Sequence, residues 1–184
     1  MATPLCIVFV DRPVAVFFKH HQHFRLLFQL CATPSLLTLP VAGLYLAYAV
    51  YMRLRGQAPL GEILLIPSVA TLAGTAAKDE LKWIFGRPWP DTWLKYGSYQ
   101  FHPLTFGAYY GSFPSGHTAY ISAPLCALWV LAPRWRLLWG GVIGIVMAGL
   151  VAANYHFVGD VLAGLLTGMA CAWGSLVLMR SSDA

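Results

Sequence analysis

The chain has 184 residues, of which 58% are hydrophobic and only 10% charged, with a formal net charge of +5. That apolar content excludes an ordinary soluble domain of this size, and dispersed basic residues without a recognisable binding module exclude a nucleic-acid reader. Hydrophobic windows approaching the ~20 residues of a membrane helix, with no series of short alternating segments, predict an all-α polytopic membrane bundle rather than a β-barrel.

The opening residues, MATPLCIVFVDRP, lack a basic leader, and the apolar run from Leu5 to Val10 is too short for a secretory core. The first membrane segment is therefore expected to direct insertion. The next stretch, VAVFFKHHQHFRLLFQLCA, carries Lys19, His20, His21, His23 and Arg25 in its middle. Placing such residues at mid-bilayer costs roughly 3 kcal/mol each, so residues 1–34 are expected to form an amphipathic segment lying in the interface. The histidines have no carboxylate or cysteine beside them, which favours a solvated face over a metal site. Cys6, Cys31, Cys126 and Cys171 stand far apart in apolar surroundings and read as packed or lipid-facing thiols.

Five spans follow: Ser35 to Met52, about Leu60 to Ala77, Thr118 to Ala132, Leu137 to Asn154, and about Val158 to Met179. With the interfacial N-terminus they make a single domain over 1–184. Gly140/Gly144 and Gly164/Gly168 have the spacing that lets membrane helices approach closely, within a chain or between chains, so the oligomeric state stays open. Residues 78–117 read as one long loop, rich in glycine, proline and aromatics, at headgroup level. Alternation of the spans gathers Arg53, Arg55, Arg134, Arg136 and Arg180 on one side, which the positive-inside rule makes cytoplasmic. Lys82, Arg87, His117, His156 and Asp160 then share the opposite face.

Those five side chains have a common chemistry. In Gly111 to Ala119, GSFPSGHTA, a hydroxyl (Ser115), a bare backbone (Gly116) and an imidazole (His117) precede an apolar helix. The free N–H groups and positive dipole of a helix start suit an anion such as phosphate. His156 and Asp160 are four apart, so on a helix the carboxylate can orient the imidazole and leave its other nitrogen free as nucleophile or base. A cap at Asp160 and an interfacial His156 would give the same pattern. Lys82 and Arg87 add cations, and a guanidinium can hold a phosphoryl group through two hydrogen bonds. Together the set describes phosphoryl transfer without a metal.

The ordered blocks Lys82-WIFG-Arg87-Pro88-Trp89-Pro90, Phe113-Pro114-Ser115-Gly116-His117-Thr118 and His156-FVG-Asp160-VLAG resemble the three signature motifs of the phosphatidic acid phosphatase type 2 family, lipid phosphatases related to vanadium haloperoxidases. The resemblance implies that His156 attacks phosphorus to form a phosphohistidine, with Asp160 holding it. His117 would protonate the leaving oxygen, and Lys82, Ser115 and the Gly116 backbone would hold the phosphoryl oxygens. It implies no metal and no cofactor. The partners would be a lipid phosphate and the bilayer, with the protein in a bacterial inner membrane and its site at the periplasmic face.

Two positions depart from the family pattern. Trp89 stands where the first motif usually has arginine, and Leu150 stands where the third motif usually has one. Arg87 is therefore expected to turn into the pocket between His117 and His156 as a substrate-binding residue, with Trp89 turned toward lipid or aromatic packing and Lys78 or His102 as a further phosphate contact. The same departures motivate the alternative of a degenerate member that binds or moves phospholipid without hydrolysing it.

Overall fold

The computed structural model describes residues 2–57, 61–105 and 107–180, and every regular element among them is helical. Helix α1 (Ala2–Leu5) passes through a π turn (Cys6–Val10) into α2 (Asp11–His20), and a 3-10 turn (Gln22–Phe24) leads to α3 (Arg25–Ala32). Then come α4 (Pro34–Leu54), α5 (Glu62–Phe85), α6 (Pro90–Tyr96) and α7 (Gly116–Leu131). A 3-10 turn (Pro133–Trp135) precedes α8 (Arg136–Ala152) and α9 (Val158–Arg180).

Helix α7 is the hub, packing on α4, α5, α8 and α9. Its Ile121 sits in a core with Ile143, Val146, Leu150 and Val161, and its Ala127 in a second cluster with Ile66, Ala172 and Leu176. Small residues bring α9 against α7: a Cβ on Gly164 would lie 2.5 Å from the Ser115 carbonyl oxygen, and one on Gly168 would lie 2.8 Å from the Ala123 nitrogen. The Gly164/Gly168 pair thus serves a contact within the chain. Gly144, by contrast, has nothing within 4 Å of its Cβ position.

Among the described residues, three segments are long and apolar enough to cross a membrane: Arg25–Leu54, Pro133–Ala152 and Val158–Met179. The first is longer than the span expected from Ser35, because Thr33 keeps helical dihedrals between α3 and α4 and Pro34 occupies the first helical position, where its missing N–H costs nothing. Arg25–Ala32, expected within the interfacial segment, thus continues into that longer apolar helix and packs against α8. The other two expected spans fall on α5, whose last turns are charged, and on α7, which has only 16 residues.

The expected loop over 78–117 begins later than the charge pattern implied. Lys78 to Phe85 are the last two turns of α5, which ends where Gly86 takes a left-handed φ of 55° and its N–H returns to the Lys82 carbonyl at 2.9 Å. Lysine, glutamate and leucine are good helix formers, so the polar patch extends the helix out of its apolar part. A short helix, α6, also forms inside the loop, started by Pro90.

Candidate active site

The Ser-Gly turn is built as a helix start. Ser115 is the N-cap of α7, its Oγ accepting from the Thr118 N–H at 3.4 Å and from the Thr118 hydroxyl at 3.1 Å. The Ser115 N–H donates to the Asp160 carbonyl at 3.0 Å, which ties this turn to the first turn of α9. Gly116 opens the helix, and a Cβ there would meet Lys78 Cδ at 3.0 Å and Lys82 Nζ at 3.7 Å. A side chain at 116 would block the space between the helix start and the two lysines.

His156 is presented by a tight turn. The Tyr155 and His156 N–H groups both donate to the Leu150 carbonyl, at 2.9 and 3.3 Å, and Asn154 adopts φ 59°. Asparagine tolerates that left-handed conformation better than most residues. Leu150, the position where an arginine would be usual, is fully buried in the core and contributes only this carbonyl. The His156 Nδ1 stands 3.6 Å from Asp160 Oδ2, on the same residue face but beyond hydrogen-bond length. That places Nε2 on the ring edge away from Asp160. Burial pushes the His156 imidazole below its ordinary value, and Asp160 opposes that shift.

Asp160 is buried and held on both oxygens. Oδ2 accepts the Ser112 hydroxyl at 2.5 Å and the Phe157 N–H at 3.0 Å, so it also caps α9. Oδ1 accepts Arg87 Nη1 at 2.5 Å. Arg87 is the largest departure from expectation. Its guanidinium is fully buried, Nη2 donates to Asp11 Oδ2 and to the Tyr99 hydroxyl oxygen at 2.7 Å each, and the Phe157 ring lies 4.3 Å beneath it. The pocket between the histidines receives no guanidinium from Arg87, because two carboxylates in a dry site hold it more firmly than a transient ligand would.

Trp89 takes the place expected for Arg87. Its ring lies 5.0 Å from His156, and its Nε1 donates to the Ala108 carbonyl at 2.8 Å. Lys82 Nζ sits 5.2 Å above the Trp89 ring, while Lys78 pairs with Asp79 and lies over Tyr120. Burial and the charge of Lys78 pull Lys82 down to about 8. His102 is engaged with Tyr110 and near Ser98, away from the histidine pair.

His117 and His156 have ring centroids 6.2 Å apart and line one cleft of about 580 Å³ with Trp89 and Tyr155. The remaining wall, from α3, Thr33 and α4, is mainly apolar, with Leu26, Leu30, Ala32 and Leu36 beside Gln29 and Thr33. Burial, His156 and the two lysines hold His117 down to about 4. A larger groove of about 750 Å³, walled by Trp129, Ile143, Met147 and Trp173, lies elsewhere, and among the described residues Cys126 is the one titratable group that lines it. Among the described residues, no group of three or more His, Cys, Asp or Glu side chains is placed to hold a metal ion.

Asp11, Ser112 and Tyr99 are not singled out by sequence reasoning. Ser112 and Tyr99 carry no spacing signal. Asp11 does carry one: it is the only acidic residue in the first 61 and ends an apolar run.

An all-helical membrane protein whose paired histidines, one backed by a carboxylate, meet the start of a central helix defines a recognisable class. A family model described as the PAP2 superfamily matches residues 63–183, and the chain belongs to that superfamily. Two proteins named lipid A 1-phosphatase, from Rhizobium johnstonii and Rhizobium etli, are each 34% identical over 103 residues, covering 53% of this chain and 38% and 40% of theirs. The match thus spans about two fifths of those relatives' length. The crystal structure of Aquifex aeolicus LpxE superposes with a TM-score of 0.62 at 20% identity, over 91% of this chain and 94% of that one. This likeness extends the fold beyond the matched region.

Proposed function

We propose that the protein is a membrane phosphatase that hydrolyses a lipid phosphomonoester or diphosphate through a phosphohistidine, without a metal. The observation that carries this reading is the single cleft shared by His117 and His156, backed by Asp160, beside the start of α7. In this reading all five sequence-derived spans cross the bilayer, with α5 projecting its charged turns and α7 crossing at a hub shielded by its neighbours. The site lies at the periplasmic face of an inner membrane.

The phosphoryl group would rest against the Gly116 backbone, Ser115 and Lys82, in the space that a side chain at 116 would fill. His156 Nε2 attacks phosphorus, and the bond from phosphorus to the leaving oxygen breaks. Asp160 compensates the charge that develops on the imidazole. His117 gives a proton to the leaving oxygen. Before substrate binds, His117 is neutral at pH 7, since burial and nearby cations hold it down to about 4. An arriving phosphate dianion reverses that local charge and raises its affinity for a proton, so the substrate arms its own acid. Water then hydrolyses the phosphohistidine, and His117 takes up the proton.

The apolar wall of Leu26, Leu30 and Leu36 supports a substrate whose apolar part lies along α3 and α4. Candidate substrates include phosphatidic acid, phosphatidylglycerol phosphate, undecaprenyl diphosphate and, by likeness to the Rhizobium relatives, a phosphorylated lipid A. A second reading, a lipid-phosphate binder without turnover, is favoured by one observation: Arg87 is committed to carboxylates, leaving lysines as the cations nearest the cleft.

The test is phosphate release from these lipids by purified protein in detergent with EDTA present. Release that resists EDTA and stops with vanadate, a mimic of the trigonal bipyramidal phosphorus, supports hydrolysis. Saturable lipid-phosphate binding with no release supports the second reading. Release lost to EDTA and restored by a divalent ion overturns the metal-free mechanism.

A further inference from the structure

The N-terminal helix lies outside the region that the family model matches, yet it reaches the histidine site. Asp11, at the start of α2, is fully buried. Its Oδ2 accepts Arg87 Nη2 at 2.7 Å, and its Oδ1 accepts the Gly159 N–H at 2.8 Å, at the first turn of α9. The helix is fastened around that contact. The Tyr99 hydroxyl donates to the Ile7 carbonyl at 2.6 Å, and Asn154 Nδ2 donates to the Ala15 carbonyl at 2.9 Å. A Cβ on Gly159 would lie 2.9 Å from both Asp11 Oδ2 and Ile7 Cγ1, so glycine there admits the helix.

Asp160 alone would face His156 with one negative charge. Arg87, bonded to Asp160, would cancel it. Burial pushes the Asp11 carboxyl up, while the Gly159 N–H and Arg87 pull it back toward the ionised form; ionised and bonded to the same guanidinium, it restores a net negative charge to the buried set. In a dry site such a balance is felt strongly by the neighbouring imidazole. We infer that Asp11 is a positioning residue for the phosphatase site: it occupies Arg87 so that the Asp160 carboxylate keeps its negative charge for His156, which makes the N-terminal helix a working part of the catalytic centre.

The inference rests on the hydrolytic role proposed for His156, and it deepens that role by giving the electrostatic support behind it. Hydrogen bonding alone does not explain Asp11. A neutral acceptor would serve the Gly159 N–H equally well, and Arg87 already has Asp160 and Tyr99. Only the charge is unreplaced. The groups that face His156 from the packed elements are Asp160 on α9, Lys82 on α5, His117 on α7 and, through Arg87, Asp11 on α2.

The experiment is a charge cycle on full-length protein in detergent, with two readouts: the imidazole titration of His156 by NMR, and kcat and KM against pH. Asp11→Asn keeps the shape and removes the charge. It should move the His156 titration, and the acid limb of kcat/KM, downward by about half a pH unit. It should also cut kcat roughly tenfold while KM changes little. Asp11→Asn combined with Arg87→Gln removes the cation with the anion, and should return the titration toward the wild-type position. A merely structural Asp11 predicts equal damage in both variants and no such return, and that result would overturn the inference, as would wild-type titration and kcat in Asp11→Asn. Should Asp11→Asn not accumulate as folded protein, the double variant decides: a wild-type titration, with anion and cation removed together, supports the inference, and an upward displacement, the mark of a lost cation with no lost anion, overturns it, as does a downward one. The titration needs no substrate, so if the wild type releases no phosphate from any lipid, the phosphatase reading falls while the charge cycle still reports on Asp11.

Discussion

At the scale of single residues, the decisive feature is how Arg87 is spent. A guanidinium that binds substrate should, when removed, raise KM and leave the fold intact. One buried between Asp11 and Asp160 should do the opposite. Removing one partner of a buried charge network leaves the others uncompensated, typically at a cost of about 3–5 kcal/mol. Arg87→Ala should therefore lower the thermal unfolding temperature sharply and cut kcat by at least ~100-fold, with KM for a lipid phosphate nearly unchanged in whatever protein remains folded. Arg87→Lys should recover only part of either loss, since an ammonium cannot span two carboxylates in the plane of a fork. A raised KM in a fully stable Arg87→Ala protein would return Arg87 to the phosphate. The sequence makes this residue visible but not its direction. Its carboxylate partners are 73 and 76 positions away, and no local spacing reports a contact between an N-terminal helix and a central loop. The lone acidic residue of the first 61, Asp11, is the available clue, and it carries no meaning until a cation faces it. His117, His156 and Asp160 are legible because their pattern is local: a turn before a helix, and a pair four apart.

At the scale of elements, α7 and α9 set the relative position of the two histidines, and glycine sets their spacing. The Ser115 N–H bond to the Asp160 carbonyl, at 3.0 Å, sits at the top of that interface, with Gly164 and Gly168 below it. A side chain at 168 meets the Ala123 backbone nitrogen and the Ser122 hydroxyl, and overpacking of this kind usually costs about 1–3 kcal/mol. Gly168→Val should lower the unfolding temperature in detergent and reduce turnover, by prising the His156 turn from the α7 start. Gly174→Val on the same helix, where nothing lies within 4 Å, should do neither. Equal behaviour of the two variants would refute the packing account. The small-residue spacing is readable in the sequence, but its partner is not, since the same spacing serves contacts within a chain and between chains. The extent of α5 differs from expectation for a physical reason: charged residues end an apolar run without ending a helix, and the break falls at Gly86, where the backbone turns left-handed.

At the scale of the whole molecule, the bundle brings together blocks that lie far apart in the chain. It sets them at the rim of a cleft whose remaining wall is mainly apolar. Composition makes the helical membrane class plain, because 58% hydrophobic residues over 184 positions admit little else. Composition alone does not separate a helix that crosses from one that packs inside, which is why α7, short and central, is not assigned by its length. The proposed chemistry stands on one event, the transfer of phosphate to His156. The direct measurement is peptide mapping by mass spectrometry of protein quenched in alkali during turnover of a lipid phosphate, where phosphohistidine survives. The mechanism predicts phosphate on the peptide carrying His156, and neither phosphoenzyme nor turnover in His156→Ala. Phosphate on another side chain, or full turnover by the folded His156→Ala protein, would contradict it.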